Sequence, residues 1–536
     1  MELNMELLPG NGRHLYEQIY EYIRGEIRSG KLLAGERLPS TRQLAASLKI
    51  ARTTVELAYS QLEEEGYLVI RRGSGAYVCE TQNIPSLTEA SRKPAGISFD
   101  QISQIQGKSL VLQENSKQEA AIDFSPRTID MSMFPYATWR RILRGILTGD
   151  RAELFRRGDP QGDPELRTTI AHYLHLSRGC HCDPEQIVIG AGNDYLLMVL
   201  GILLGKSASE DHKGVRIGME SPTYLRAADV MRSMGFSIEP IADDESGMRA
   251  DALEESDCLL AYLMPARQFP TGVVMPYPRR AELLSWAAEK EGRYLIEDDY
   301  DSEFKYRGRP VPSLQSMDAG GKVIYLGTFS KSIAPAIRVS YLILPKDLLP
   351  AFHEKAGFLS CTVPRLDQAI LNEFIQEGYF ERYLNRMRNH YRSKHDRMLE
   401  LLKPLEKKFD IRGQGAGLHL VLHLKNSAAC ADAAGGQEKI GQDEIEQKLA
   451  DAARAQGVIV YPLSEQKLPE EFSSQAILPE NPCSRQLLPE NPCSRQKLPE
   501  NSSSRQQVSP AILLGYAALT EEEIREGTQK LIQAWS

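Results

Sequence analysis

The 536-residue sequence predicts a multidomain protein of mixed α and β class: a small α+β head, a polar linker, an α/β body and a smaller α+β region at the end. Three observations predict it. Residues 12–79 carry three helical periods and a glycine-punctuated hairpin, short β-rich runs alternate with helical stretches over 121–345, and long helical periods with few strands fill 346–536. A content of 42% hydrophobic, 25% charged and 7% aromatic residues is that of a globular protein and excludes collagenous and fully disordered classes. No run of about 18 apolar residues occurs, and MELNMELLPG lacks the basic and apolar stretches of a secretion signal, so no membrane span and a cytoplasmic address are expected. Eight cysteines, the tightest spacing being CHC at 180–182, match neither a disulfide framework nor paired zinc ligands, and no metal site is expected.

In the head, HLYEQIYEYIRGEIRSG places Leu15, Ile19, Ile23 and Ile27 at steps of four, one apolar stripe closed by Gly30. LPSTRQLAASL opens a second helix with Ser40 or Thr41 as N-cap. ARTTVELAYSQLEEEGYL gives a third, with Val55, Ala58, Tyr59 and Leu62 inward and Gly66 as its C-cap. YLVIRRGSGAYV then reads as two strands around Gly73-Ser74-Gly75. This is a helix-turn-helix followed by a wing, the layout of a DNA-binding head. Its charge is balanced, with 10 Lys/Arg against 10 Asp/Glu in residues 1–79, and the net charge of the chain is −8, so any DNA contact must be local. Arg42, Arg52, Thr53 and Thr54 gather at the turn and at the start of the third helix, the end that enters the major groove. Arg71 and Arg72, with Gly73, load the wing, where they reach phosphates or the minor groove. Ser40 is a DNA candidate that also serves as a cap, and Tyr59 reads as core. Glu63, Glu64 and Glu65 lie at the far end of the helix, away from the groove.

Residues 80–120 are polar and without sustained period, as expected of a linker. In the body, IVIGAG, VRIGME, CLLAYLMP, RYLIEDD, KVIYLG and VSYLILP alternate with helical stretches and imply a mostly parallel sheet over 121–345. The smaller region, 346–536, contains a low-complexity insertion at 465–508. Within it, ILPENPCSRQLLPENPCSRQKLPENSSSRQ repeats a ten-residue unit three times over 477–506, and Pro, Asn and Ser in every unit leave no face to bury.

GTFSKSIAPAIRVSY raises the chemical question. A lysine at the end of a buried strand is costly unless it is neutralised, paired or used covalently. Pyridoxal 5′-phosphate demands a lysine for a Schiff base, an acid for its pyridinium nitrogen, a donor to its phenolic oxygen and a phosphate cradle. The sequence offers each. Lys331 is the lysine; Asp298 and Tyr300 of LIEDDYDSEF, two apart and so on one strand face, suit the ring nitrogen and the phenolic oxygen. Thr328, Ser330 and Arg338 flank Lys331 and suit the phosphate. IVIGAGNDYLLMVL adds a helix start at Gly192, Asn193 and Asp194 whose free N–H groups suit it too.

GERLPSTRQLAASLKIARTTVELAYSQLEEEGYL in the head, with MESPTYLRAA, MPARQFPTGVVMP, IEDDYDSEF, GTFSKSIAPAIRVSYLILP and AGLHLVL in the body, resembles the MocR/GabR-type regulators. These fuse a GntR-like winged helix-turn-helix to an aminotransferase-like domain of fold type I, and the likeness runs from about 12 to 535. The resemblance implies Lys331 as the Schiff-base lysine, Asp298 and Tyr300 as ring partners, Arg338 at the pocket, and Tyr224 and Arg226 as effector contacts. It also implies a head-to-tail homodimer. In well-studied relatives the segment matching LLGYAALTEEEIREG holds an arginine that grips the ligand carboxylate; here that place is Ala518. A γ-aminobutyrate-like effector is therefore not implied.

Two functions follow. The first is a transcriptional regulator that binds a double-stranded DNA operator and senses an amine or amino acid, or the cofactor itself, through aldimine chemistry at Lys331. The alternative is an active aminotransferase with an autoregulatory head, since a freed lysine can shuttle protons; loss of the carboxylate arginine argues against efficient turnover. Gln268 of ARQFPTG is a candidate for the cofactor's phenolic side or a plain turn residue, and His419 reads as a satisfied strand histidine. Trp139, Trp286 and Trp535 read as packing residues.

Overall fold

The structure is a computed structural model that describes Met5 and residues 14–64, 67–71, 75–79, 121–149, 151–205, 214–306, 312–425, 441–469 and 509–535. The linker at 80–120, Arg72, Gly73, Gly66 and the tandem repeat lie outside the described residues. The chain divides into two units, Met1–Glu114 and Asn115–Ser536.

The first unit builds its own core from the predicted stripes. Helix α1 (Leu15–Arg28) buries Ile19, Ile23 and Ile27, and its chain reverses at Gly30. Helix α2 (Thr41–Leu48) starts at Ser40, whose hydroxyl accepts from the Gln43 N–H while Gln43 Oε1 accepts from the Ser40 N–H, a reciprocal cap. Helix α3 (Arg52–Glu64) turns Val55, Ala58, Tyr59 and Leu62 inward. Strands β1 (Leu68–Arg71) and β2 (Gly75–Val78) pair antiparallel as the wing, Leu68 opposite Val78.

The second unit holds a seven-stranded sheet and a four-stranded sheet. A short strand β3 (Ile122–Asp123) and helices α4 (Tyr136–Thr148) and α5 (Pro164–Arg178) lead into it. The large sheet is built from β4 (Ile187–Gly190), β5 (Arg216–Glu220), β6 (Ser237–Ile241), β7 (Leu260–Leu263), β8 (Tyr294–Asp299), β9 (Val323–Thr328) and β10 (Ser340–Ile343). Its order is β4-β10-β9-β8-β7-β5-β6, with β10 antiparallel to both neighbours and the other pairs parallel. Six apolar runs in the sequence thus become six strands. Both faces are covered, which is why β8, β9 and β10 are buried at every position. On one face Ile187, Ile189, Tyr325, Tyr341 and Ile343 share a core; on the other Val188, Ile324, Leu326 and Leu342 pack with helix α6 (Asn193–Leu204) and helix α7 (Leu225–Ser233).

The boundary between the two sheets' cores differs from the one expected at 345. Helix α8 (Tyr277–Glu289) covers the large sheet, and helices α9 (Leu349–Lys355) and α10 (Arg365–Gln376) still pack with it: Phe352 joins the core of Leu342, and Phe374 that of Ile187. Helix α11 (Tyr379–Leu402) is 24 residues, ~36 Å long, and carries the chain from one core to the next. Its Phe380, Tyr383 and Met387 belong to the first core, its Met398 and Leu402 to the second. A helix long enough to serve two cores shows no break in its sequence pattern. The second core also takes Ile122 and Phe124 from the start of the body, because β3 pairs with β13 (Val458–Ile459). The small sheet runs β11 (Phe409–Arg412), β12 (His419–Leu424), β15 (Ala511–Gly515), β14 (Tyr461–Pro462), all antiparallel, flanked by α12 (Gln442–Ala455) and α13 (Glu521–Trp535).

Residues 465–469, expected inside the low-complexity insertion, are part of the fold. Gln466 accepts from the Thr223 N–H at 2.9 Å, the Leu468 N–H donates to Ser221 Oγ at 3.1 Å, and Leu468 is buried. At the base of the insertion, buried Glu446 accepts from the Ser464 N–H at 2.7 Å and from the Ala511 N–H at 2.8 Å, pinning both flanks. Among the described residues no helix is long and apolar enough to cross a membrane, and no cluster of metal-ligating side chains occurs.

Candidate functional site

In an open parallel sheet, ligands bind beyond the carboxyl ends of the strands. Lys331 lies there, three residues after the end of β9, and Asp298 and Tyr300 lie at the end of the neighbouring β8. Period two sorts the acids of β8. Glu297 accepts from the Leu314 and Gln315 N–H groups, and Asp299 Oδ2 takes Arg178 at 2.7 Å and the Tyr325 hydroxyl at 2.6 Å, while Asp299 Oδ1 is left without a partner, so this face of the strand serves mainly to hold the fold. Asp298, on the other face, accepts from Asn193 Nδ2 at 3.3 Å and from the Tyr262 hydroxyl. Burial pushes its carboxyl up to about 7, against the hydrogen bond from Tyr262 and with a further push from Asp299. A buried acid of this kind is poised to meet a cation or a protonated ring nitrogen.

Burial lowers the Lys331 ammonium to about 8, with Asp301 opposing and Arg127 adding to the fall. Its Nζ donates to the Arg127 carbonyl at 2.7 Å and the Pro126 carbonyl at 3.3 Å, and neither bond requires the amine to be charged. The Tyr300 hydroxyl is buried without a hydrogen-bond partner, as is Asn193 Oδ1. Orphaned buried polar atoms are rare and point to a missing partner. Phe269 stands edge-on to Tyr300, Tyr224 and His419 and forms the apolar wall between them.

The cradle is equally built. Gly192, at φ 95°, caps α6, and a Cβ there would lie 2.0 Å from Arg338 Nη2, so only glycine lets the guanidinium reach the helix start. Arg338 itself is left-handed, φ 50°, and donates to the Ala191 carbonyl at 3.2 Å. Thr328 Oγ1 accepts from Ser340 Oγ at 2.8 Å and from the Ser330 N–H at 3.1 Å, which leaves its own proton to donate. Gly192, Asn193, Asp194, Thr328, Ser330 and Arg338 thus gather beside Lys331. The Gly192 N–H is not free as expected, because it donates to the Gly190 carbonyl at 2.8 Å; the Asn193 and Asp194 N–H groups, a guanidinium and a hydroxyl donor still fit a phosphate, and the orphan phenol and the buried acid fit the ring of pyridoxal 5′-phosphate.

The Asn193 side chain is turned to Asp298 rather than to the phosphate cradle. Arg226 shares Asp194 with Arg338, each at 3.5 Å. Gln268 is a turn residue: it accepts from the Thr271 N–H and donates to the Pro222 carbonyl. His419 is the satisfied strand histidine, with Nε2 on the Pro270 carbonyl at 2.9 Å, and burial holds it well below its usual pKa. Sequence reasoning missed Tyr262, hidden in an apolar run, and Arg267, whose buried ion pair with Asp301 at 2.9 Å also reaches His419. Trp286 and Trp535 are buried and Trp139 packs on the core.

The head presents a separate surface. Arg42, Arg52 and Thr53 are exposed and Thr54 is half-buried at the start of α3; Arg52 pairs with Glu56 at 2.8 Å, one turn on. Arg71 lies over the Tyr77 ring on the wing. Ser40 is exposed but spent on its cap, and Tyr59 is core, its hydroxyl on the Pro39 carbonyl at 2.9 Å.

Residues 15–78 match the family of bacterial regulatory proteins of the gntR type, and 133–473 match aminotransferase class I and II. The uncharacterised HTH-type transcriptional regulator YdeL of Bacillus subtilis is 36% identical over 97% of this chain and 96% of its own length. The rhizopine catabolism regulator MocR of Rhizobium meliloti, so named as probable, is 32% identical over 84% of this chain and 87% of its own. The chain belongs to the MocR/GabR-type regulators. A kynurenine aminotransferase of Pyrococcus horikoshii shares the body's fold, with a TM-score of 0.61 and 22% identity over 82% of this chain and 98% of that one. In MocR-type terms the head is the GntR helix-turn-helix and the body the aminotransferase-like domain of fold type I.

Proposed function

We propose that the chain is a transcriptional regulator whose body binds pyridoxal 5′-phosphate at Lys331 and reports an amine or amino-acid effector to the DNA-binding head. The observation that carries this reading is the meeting of Lys331, Asp298 and the unpartnered Tyr300 hydroxyl at the ends of adjacent strands. Bound there, the cofactor supplies a carbonyl for amines and an electron sink. Asp298, steadied by Asn193 and Tyr262, holds the proton of the ring nitrogen. Tyr300 donates to the phenolic oxygen, and the start of α6 with Thr328, Ser330 and Arg338 binds phosphate. Lys331, whose pKa burial lowers to about 8, is the group that would exchange with an incoming amine. Tyr224 and Arg226 border the same opening and are assigned to the effector.

In the head, Arg42, Arg52, Thr53 and Thr54 enter the major groove of a double-stranded operator and Arg71 follows the backbone. A head-to-tail homodimer, acting in the cytoplasm, completes the reading; exposed Tyr136, Leu147 and Phe155 on the body support self-association. The lowered pKa of Lys331 also favours a second reading, a working aminotransferase with an autoregulatory head, because a base near pH 8 transfers protons efficiently. Release of a keto acid from a simple amino acid with full conversion of the cofactor to its amine form marks that enzyme.

The test is the visible absorption spectrum of the full-length protein beside Lys331→Ala. A band of lysine-linked cofactor in the wild type, absent from the variant and moved by an amine, is the expected result. A colourless wild type that cannot be reconstituted with pyridoxal 5′-phosphate overturns the reading.

A further inference from the structure

The segment that follows β3 runs along the reactive amine. Arg127 and Pro126 supply the two carbonyls that hold Lys331 Nζ. That segment is fixed to the end of β15, since the Gly515 N–H donates to the Phe124 carbonyl at 2.8 Å and a Cβ on Gly515 would lie 2.1 Å from the Ser125 carbonyl oxygen. Lys394 ties the same two pieces together a few residues on, donating to Asp130 at 2.6 Å and to the Ala517 carbonyl at 3.0 Å. The backbone that carries Arg127 is therefore anchored beside Lys331 by its neighbours on the small sheet.

Each of the other cations around the site has an acidic neighbour. Arg226 and Arg338 share Asp194, and Arg267 is closed on Asp301. Arg127 is exposed and makes no side-chain hydrogen bond or ion pair among the described residues, yet it acts electrostatically on Lys331, Tyr224, Tyr461 and Glu465. An unpaired guanidinium beside an amine-exchanging lysine is a carboxylate receptor.

We propose that Arg127 binds the carboxylate of the effector, and that the effector class is therefore amino acids rather than simple amines. The inference rests on the reading of Lys331 as the cofactor lysine. The two fail separately in one experiment. Full-length wild type, Arg127→Gln and Arg127→Lys, each reconstituted with pyridoxal 5′-phosphate, are titrated with L-alanine and ethylamine, and with γ-aminobutyrate and propylamine. The absorption band reports binding at Lys331, and gel shift on DNA from the gene's own promoter reports the response of the head.

The wild type is expected to take at least one amino acid tenfold or more tightly than the amine lacking its carboxylate. Arg127→Gln removes that preference, a loss of about tenfold to a hundredfold for the amino acid alone. Arg127→Lys recovers part of it, having the charge without the fork. Amino-acid titrations identical in the wild type and Arg127→Gln, both with a normal band, overturn this inference and leave the cofactor reading standing. Equal binding of amines and amino acids by the wild type overturns it as well. A wild type without the band overturns both.

Discussion

At the scale of single residues, the site is held under strain of charge. Asp298 is a buried carboxyl raised to about 7, so the folded chain binds its proton more tightly than the unfolded chain does. Its contribution to stability is complete below about pH 4 and is lost as pH rises through 7. Lys331 runs the opposite way: its folded pKa is lowered to about 8, so stability is lost as pH falls from about 10 through 8. Near neutrality both groups weaken the cofactor-free protein, and a bound cationic ring would relieve Asp298. Asp298→Asn is expected to stabilise the cofactor-free chain at pH 8 by on the order of 2–4 kcal/mol, the gain shrinking toward pH 4, while cofactor affinity falls steeply. Thermal melts of both proteins across that pH range, with and without pyridoxal 5′-phosphate, check it; parallel melts at every pH reject it. The carboxylate of Asp298 was legible in the sequence because strand alternation separates it from Glu297 and Asp299. Tyr262 and Arg267 were not, since each reaches the site from a different strand or turn and no local period links them.

At the scale of elements, the three helices and the wing of the head were readable from stripes of apolar residues, and their buried faces follow those stripes. The exposed start of α3 is left for DNA. Arg52 is held there only by an exposed pair with Glu56, an interaction worth a few tenths of a kcal/mol that does not prevent it from turning to a base edge or phosphate. Arg52→Ala and Arg42→Ala are each expected to cost about 1–3 kcal/mol in operator affinity with unchanged folding, read by fluorescence anisotropy at fixed salt. The division of the body was less readable, because α11 crosses between two cores without a break in its pattern. The same holds for residues 465–469, whose composition looks like insertion but whose backbone is bonded to Ser221 and Thr223. Contacts far apart in sequence fixed both. Glu446 is the clearest case: two backbone donors on either side of the insertion converge on one buried carboxylate. Glu446→Ala leaves both unsatisfied and is expected to destabilise the body by about 3 kcal/mol or more, whereas deletion of 470–508 with a short loop in its place is expected to change its melting temperature little. Calorimetry of the two variants distinguishes a structural insertion from a tolerated one.

At the scale of the whole molecule, two units with separate hydrophobic cores lie on one chain. Separate cores are expected to give separate unfolding transitions. Saturating pyridoxal 5′-phosphate at about a hundred times its dissociation constant adds about 2.7 kcal/mol to whatever it binds, so it should raise the melting of the body alone; a shift of both transitions in scanning calorimetry would instead mean that the units unfold together. The clamp at Glu446 also bears on how this gene can change. The two flanks of the insertion are held at one carboxylate, and closing a flexible chain between fixed ends costs free energy only as the logarithm of its length. On that law, one more copy of the ten-residue unit added to some forty residues between the flanks costs roughly 0.2 kcal/mol. Replication slippage at the tandem repeat is therefore close to neutral for folding, and strains carrying different copy numbers should hold regulators of equal stability.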